Sequence, residues 1–427
     1  MSTFDAAVVG RGAIGSVAAL AFARAGWRVV LVGPKSPEAG QPEDASTTAG
    51  PVSRGWDQRV YALSPASRAL LTDLGAWQLL DPARVAPVHD MRIFNDAGRP
   101  GGRPLREVHL DAYQGRIEAL AWIVENRELQ GAVDQAIAVA SHSVKLTRVD
   151  AEVDSLDLPL LPDDRRPAAS LGLAGGGRLE AQLVVAADGT ASRLRDLAGI
   201  DYVARDYDQT AIVANFEADQ PHRDCAWQWF GDYGVVALLP LPGDDLGPGR
   251  SRVSLVWSAS LDQAVRALRA DEGRDEWLAG QVQSMTRNRL GALRLITPPA
   301  AFPLRTVRCR QVIKPSFVLI GDAAHAIHPM AGQGMNLGFG DVRGLMDHLM
   351  APPPLQQATA RAPDWLGLRR YERSRREPVA TMQMALDGLH RAFGDLPAPL
   401  VGLRDIGWEI VARSGWVRRR MIGHAVS

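Results

Sequence analysis

Asp322 is the carboxylate of this chain best placed to meet a ligand. It follows the apolar run Val318-Leu319-Ile320-Gly321 and precedes a turn-rich stretch holding Pro329, Gly332, Gln333 and Gly334, after which a helical pattern opens near Met335 or Asn336. A carboxylate at the carboxyl end of a strand can accept hydrogen bonds from ligand hydroxyls. Small residues let the backbone approach a ligand closely, and a helix start offers unpaired N–H groups and a partial positive charge. A polyol joined to an electron-rich ring suits that combination. Taken alone, the pattern fits any strand–loop–helix ligand site.

A second pattern, near the other end of the chain, narrows the ligand. Gly10-Arg11-Gly12-Ala13-Ile14-Gly15 follows the short apolar strand Ala6-Ala7-Val8-Val9 and opens a helix of small and apolar residues, Ala13 to Ala25, closed by Gly26. Residues 28–32 supply the second strand of a βαβ unit. In that context G-x-G-x-x-G reads as a dinucleotide site, because the glycines permit the tight turn and the close approach of a pyrophosphate to the helix N-terminus. One expected piece is missing. The second strand should end in an acid for the adenosine ribose hydroxyls, yet Leu31-Val32 runs into Gly33-Pro34-Lys35, and the nearest acid, Glu38, lies beyond two prolines. Backbone, water or a residue from elsewhere must hold that ribose.

Three segments together carry a family likeness: the N-terminal glycine motif, Val184-Val185-Ala186-Ala187-Asp188-Gly189 with Ser192, Arg193 and Arg195 following, and the Gly321-Asp322 segment. Over nearly its full length the chain resembles the class A flavin-dependent aromatic monooxygenases, and within them the ubiquinone-biosynthesis hydroxylases. Intervening phrases carry the narrower likeness. They are Arg59-Val60-Tyr61-Ala62-Leu63-Ser64 with Ser67, Glu125-Asn126-Arg127-Glu128-Leu129, Arg205-Asp206-Tyr207-Asp208-Gln209, and Ala331-Gly332-Gln333-Gly334-Met335-Asn336-Leu337-Gly338.

The resemblance implies an α/β, para-hydroxybenzoate-hydroxylase-like fold. A Rossmann-like FAD-binding domain would take residues 1–75, 115–200 and 300–350, an inserted β-sheet substrate domain 76–114 and 201–299, and a helical C-terminal region 351–427. The resemblance also implies FAD as cofactor, NADPH or NADH as electron donor, and O2. The chemistry is then flavin-borne: a C4a-hydroperoxide passes oxygen to an electron-rich ring while the protein positions both partners and excludes water. Gly10, Gly12, Ala13, Ile14 and Gly15 are expected at the pyrophosphate, Arg59 and Arg127 at the phosphate and ribityl region, and Asp322, beside Gly321, at a ribityl hydroxyl. Asp188 and Gly189 join them from the middle segment. Pro329 is expected against the ring, in the loop of Gly332, Gln333 and Gly334, with backbone N–H groups of Met335 and Asn336 at the pyrimidine edge where reduction deposits negative charge. A β-branched side chain at Gly334 is expected to displace the turn or force an unfavourable backbone angle. Phe230, Leu239, Pro240, His328 and Met330 are the candidates for the substrate pocket. No catalytic base is assigned.

Composition sets limits. With 427 residues the chain can bury a large core, and Lys+Arg 48 against Asp+Glu 48 gives no argument for a nucleic-acid partner. Cys225 and Cys309 are too few for a disulfide framework or a thiolate metal site, which fits a reducing cytoplasm. His325 and His328 lack a third ligand at useful spacing, so no metal is expected. Residues 6–33 resemble a signal peptide in their small apolar content, but Asp5, Arg11 and the βαβ pattern argue against that, and no apolar run reaches the roughly 18 residues of a spanning helix. Residues 406–422, with Trp408, Trp416, Val417 and Arg418 to Arg420, carry an aromatic and basic mix suited either to a peripheral contact at the inner membrane surface or to a terminal helix packed on the flavin domain with a solvated basic end; contact within a biosynthetic complex is the other partner the resemblance implies. Three readings stay open: hydroxylation of a polyprenylated phenol or benzoquinol of ubiquinone biosynthesis, hydroxylation of a small soluble aromatic compound, and a non-catalytic accessory subunit that keeps FAD. The narrower phrases favour the first.

Overall fold

The computed structural model describes residues 3–34, 55–95, 106–141, 144–160, 169–269, 272–327, 333–349 and 365–393. Its first sheet collects strands from distant parts of the chain. They are β1 (Thr3–Val9), β2 (Val29–Val32), β8 (Leu146–Val149), β11 (Arg178–Ala186), β18 (Ile313–Lys314) and β19 (Phe317–Leu319), in the order β18-β19-β11-β1-β2-β8. The hairpin β9 (Val153–Asp157) and β10 (Ala169–Leu173) joins through β11. The central pairings β1–β2, β1–β11, β2–β8 and β11–β19 are all parallel. Ala6, Ala7, Val8 and Val29 to Val32 are buried, as a parallel sheet covered on both faces requires of an unbroken apolar run.

Helix α1 (Ala13–Arg24) packs its alanines against one face of this sheet, with α4 (Asn126–Ala140) and α8 (Gly334–Leu349) beside it. The expected helix ended at Ala25; Ala25 caps it instead, and Gly26 turns the chain at φ +86°. Helix α2 (Pro65–Asp73) starts with Pro65 behind the Ser64 cap and lies against α8, as does α9 (Trp365–Phe393). The short helices α3 (Ala112–Gly115) and α5 (Arg193–Leu197) close connections at the edges.

The second large sheet is antiparallel in most of its pairings. It is built from β5 (Asp90–Asn95), β6 (Arg106–Asp111), β12 (Tyr202–Ala218), β13 (Cys225–Gly231), β14 (Gly234–Leu241), β15 (Ser251–Ser260), β16 (Leu293–Leu295) and β17 (Ala300–Cys309). Alternation splits its side chains in two. Ile212, Ala214, Phe216, Trp229, Leu238 and Trp257 face outward into a core closed by α6 (Leu261–Leu268) and α7 (Arg274–Met285). Deleting Trp229, which is 1% exposed, would cost about 3–5 kcal/mol. The opposite face looks across a cavity at the first sheet. Between them stands a three-stranded sheet, β3 (Val60–Leu63), β7 (Ala121–Glu125) and β4 (Val85–Val88), in the order β3-β7-β4.

Candidate active site

The cavity between the two large sheets has a volume of about 710 Å³. Its floor begins at the first βα turn. Gly10 has φ +114°, and a Cβ there would lie 2.2 Å from the Ala187 carbonyl oxygen; a Cβ at Gly15 would lie 2.0 Å from that of Gly10. Both glycines are therefore demanded by the packing of the protein itself. Gly12 differs. Among the described residues its Cβ would meet nothing within 4 Å, it caps α1 with no side-chain hydrogen bond, and with Ala13, Ile14 and Gly15 it lines the cavity. An open glycine at a helix N-terminus with no side-chain cap is a fit for a pyrophosphate: the anion can come within hydrogen-bond reach of the first N–H groups.

Ile14 locks this turn to the second motif. A Cβ on Gly321 would approach the Ile14 Cδ1 to 2.8 Å, and one on Gly338 to 2.3 Å. The 3₁₀ turn Gly321–Ala323 follows β19 directly, with Gly321 at φ +59°, and presents Asp322 to the cavity. Burial raises the Asp322 pKa above the usual carboxylate range, opposed by His325 and Arg59. A carboxylate short of solvent gains most from hydroxyl donors, which is what a ribityl chain offers.

Behind that turn lies a buried ionic cluster. Asp341, fully buried on α8, accepts from Gly321 N (2.8 Å), His325 Nε2 (2.7 Å) and Arg375 Nε (2.8 Å). Burial alone would raise the Asp341 pKa, but His325, Arg375 and the Gly321 N–H outweigh it and hold it low. His325 feels burial downward and Asp341 upward, with a net rise. Arg195, 2% exposed, adds a second tie by donating to the Ala323 and Thr190 carbonyls at 3.0 and 3.1 Å. The position of the Asp322 turn is thus fixed from α5, α8 and α9 together.

Helix α8 starts at Gly334, one or two residues before the expected start, and Gln333 to Asn336 all line the cavity. The Asn336 side chain does work that spacing did not reveal. Its Oδ1 accepts from Ser64 N (2.9 Å) and Ser67 Oγ (2.8 Å), and its Nδ2 donates to the Ala62 carbonyl (2.9 Å) and Gln333 Oε1 (3.1 Å). That network ties β3 and α2 to the helix start. The expectation for Gly334 needs correction: no positive φ constrains it, and among the described residues its Cβ would meet only Asp322 Oδ1, at 3.9 Å.

Other expected residues divide. Arg59 and Gly189 line the cavity, with the Arg59 guanidinium 5.6 Å from the Tyr61 ring centroid and 5.5 Å from that of Phe302. Arg127 does not line it: its Nη2 donates to the Gly55 carbonyl (3.2 Å) and its N to Asp57 Oδ2 (3.0 Å), anchoring the start of α4. Asp188 is also outside the lining, because its carboxylate is engaged with Ser192 Oγ (2.6 Å) and Leu194 N (3.0 Å) at the start of α5. Leu239 lines the cavity, whereas Phe230 and Pro240 do not; Phe230 is packed among Ile93, Val108 and Val235. His328, Pro329, Met330, Ala331 and Gly332 lie outside the described residues.

The wall could not be read from motifs, and strand register supplies it. Met91 pairs with Ala226; Gln228 pairs with Ala237, Ala237 with Val256 and Val256 with Val213; Val235 pairs with Ser258, Ser258 with Ala211 and Ala211 with Phe302. All of these, with Leu239, line the cavity. Among them only Gln228 and Ser258 are polar, and Arg305, farther along β17, adds a charge to the lining. Tyr61, whose hydroxyl donates to Asn126 Oδ1 (3.1 Å), and Ile123 form the side. An apolar ceiling over a floor whose open glycine and buried carboxylate fit a phosphate and a polyol leaves room for two aromatic systems, one of a dinucleotide and one of a second ligand.

Comparison with known proteins decides the family. Residues 148–385, more than half of the chain, match the family described as FAD binding domain. The chain is 31% identical over 424 residues to the 3-demethoxyubiquinol 3-hydroxylase of Escherichia coli, covering 99% of this chain and 98% of that protein. It belongs to the class A flavin-dependent aromatic monooxygenases. This monooxygenase is likewise 31% identical over 428 residues to the ubiquinone hydroxylase UbiL of Rhodospirillum rubrum, covering 99% of this chain and 89% of that one. The crystal structure of p-nitrophenol 4-monooxygenase from Pseudomonas putida superposes with a TM-score of 0.71 at 16% identity, covering 100% of this chain and 99% of that one, which shows the shared para-hydroxybenzoate-hydroxylase-like fold. The monooxygenase uses FAD, with NAD(P)H and O2 as the family's co-substrates.

Proposed function

We propose that this flavin monooxygenase hydroxylates a polyprenylated phenol or benzoquinol intermediate of ubiquinone biosynthesis. The observation that carries the reading is the ceiling: eleven cavity-lining residues on adjacent strands, apolar except for Gln228 and Ser258, facing the Gly12 and Asp322 floor. The curated relatives' names support the substrate class. FAD, when bound, supplies the oxygen activation. The chain's own residues do the rest. Gly12 and the α1 N-terminus bind the pyrophosphate, and Asp322 accepts from ribityl hydroxyls. The start of α8 directs N–H groups at the ring edge that gains negative charge, a helix dipole used as oxyanion stabilisation. Val213, Ala237 and Val256 exclude water, so that oxygen reaches the ring instead of leaving as peroxide.

A polyprenyl tail is too apolar to travel through water, so the enzyme meets its substrate at a membrane surface or receives it from a carrier. No helix among the described residues is long and apolar enough to cross a membrane. Residues 406–422, the expected contact segment, lie outside the described residues. The test compares a prenylated phenol with a short phenol, following NAD(P)H oxidation, hydroxylated product and peroxide together. Coupled turnover of the prenylated compound alone supports the proposal. Coupled turnover of the short phenol alone points to a small soluble substrate, and no product with either points to an accessory subunit.

A further inference from the structure

Strand β2 ends without the acid that would hold the adenosine ribose of a dinucleotide, and the neighbouring strand shows what stands in its place. Strands β1, β2 and β8 run parallel, with Val9 level with Val32 and Val32 level with Val149. Gly10 N donates to the Val32 carbonyl and Gly33 N to the Val149 carbonyl, so Gly10, Gly33 and Asp150 leave the sheet side by side at its carboxyl edge. That edge is where open α/β sheets bind their ligands. Arg11, inside the glycine loop, crosses it: a Cβ on Gly33 would lie 3.0 Å from Arg11 Cγ and 3.3 Å from Cδ, so the arginine stem fills the volume of the missing side chain. Arg11 Nη1 then pairs with Asp150 Oδ1. The arginine is 15% exposed and the carboxylate 59%, so the stem is covered while the acid faces outward.

We propose that the Arg11–Asp150 pair is the adenosine-ribose subsite for FAD, with Asp150 Oδ2 accepting from the ribose 2′-hydroxyl and Arg11 holding the carboxylate in place. The acid has moved one strand along, about 4.8 Å across the sheet, and the loop arginine spans the gap. An ordinary surface ion pair would contribute little to anything; this one occupies the position that the dinucleotide motif leaves empty. The inference rests on FAD as the cofactor and is independent of which ring is hydroxylated.

The test pairs a change in the protein with a change in the ligand. Full-length holoenzyme is exchanged against an equimolar mixture of FAD and its analogue carrying 2′-deoxyadenosine, and the bound ratio is read by chromatography. The parent should retain FAD over the analogue by about tenfold, the scale of one hydrogen bond to a charged acceptor. Asp150→Asn should bind the two within about twofold, and Arg11→Met, which keeps the stem over Gly33, should show an intermediate preference. A parent with no preference overturns the proposal. So does an Asp150→Asn variant with the parent's preference, since a merely structural pair would not sense the ligand's hydroxyl.

Discussion

On the floor of the cavity a Cβ at Gly10 or Gly15 would lie 2.2 or 2.0 Å from a backbone oxygen, whereas on the ceiling Ala211, Ala226 and Ala237 already carry a Cβ and open onto free volume. At Gly10 and Gly15 the floor is shaped by main chain pressed against main chain, so those two residues cannot change without moving the strands that carry them. The ceiling is shaped by side chains on a fixed backbone, so its residues can change at little cost to the fold. A cofactor common to a whole family calls for the first kind of surface; a substrate that differs between members calls for the second.

The sharpest test of that contrast lies within one motif. Gly15→Ala should lose both FAD and the packing of α1 on β1 and β2, at about 3 kcal/mol or more, because the new methyl meets backbone that cannot yield. Gly12→Ala should leave the melting temperature of the flavin-free protein within about 2 °C of the parent while weakening FAD about tenfold or more, because its methyl meets no described residue and enters the volume proposed for the pyrophosphate. Flavin absorbance per chain and thermal unfolding of the apoprotein read both. Parent-like FAD binding by Gly12→Ala would show that the open volume is not the phosphate site.

Next in size is Asp341→Asn, which strips a buried carboxylate from His325, Arg375 and the Gly321 N–H. Breaking such a group by removing one partner costs about 3–5 kcal/mol. The pH dependence has a definite sign. Asp341 is held below its ordinary value of 3.8, so its contribution is present above that value and is lost as pH falls through the depressed folded pKa. His325 is raised above its ordinary 6.5, so its contribution is complete below 6.5 and is lost as pH rises through the raised one. The parent's advantage over the variant should therefore be greatest between pH 4 and 6.5. A melting-temperature difference that stayed constant from pH 5 to 9 would mean that the cluster is not ionic.

What the sequence reveals follows the same division. Gly10, Gly12, Gly15 and Asp322 could be found from spacing because a tight turn, a helix N-terminus and a strand end each need particular residues at fixed offsets. Asp188 and Arg127 sit in recognisable phrases, yet the structure uses them to cap α5 and to anchor α4. A motif records that a residue is required without recording which neighbour requires it. The ceiling left no motif. Ala211, Ala237 and Val256 are ordinary strand residues, and only the pairing of β12 through β15 brings them together. Period-2 alternation was a usable signal for which face they share, but not for which sheet lies opposite. Asn336 lay in view, while its side-chain reach to Ser64 and Ser67, 272 and 269 residues away, had no local trace.

A change on the ceiling should then do what none on the floor can. Ala237→Phe adds a ring in the middle of the lining, between Gln228 and Val256. FAD content and melting temperature should remain close to the parent's, while the KM for the aromatic substrate rises about tenfold or more and peroxide release increases, since displaced substrate leaves the ceiling unsealed. Loss of FAD together with substrate binding would mean that floor and ceiling are one structural unit, and the contrast drawn from their packing would fail.

The smallest effect is also the one whose two readouts move in opposite directions. Burial holds the Asp322 pKa above its ordinary 3.8, so the carboxyl contributes stability that is complete below 3.8 and is lost as pH rises through the raised folded value. Above that raised value the ionised form is a cost that the apoprotein bears. Asp322→Asn removes that charge in nearly the same volume, so the flavin-free protein should melt about 2 °C higher at pH 7.5, with the gain fading as pH falls toward 4. FAD affinity should drop about tenfold, because ribityl hydroxyls would then meet a neutral amide in place of a carboxylate. Scanning fluorimetry of the apoprotein across pH and flavin titration at one pH separate the two. If the variant's apoprotein melted lower than the parent's, Asp322 would be a packing residue of the turn, and its place beside Gly12 on the cofactor floor would have to be given up.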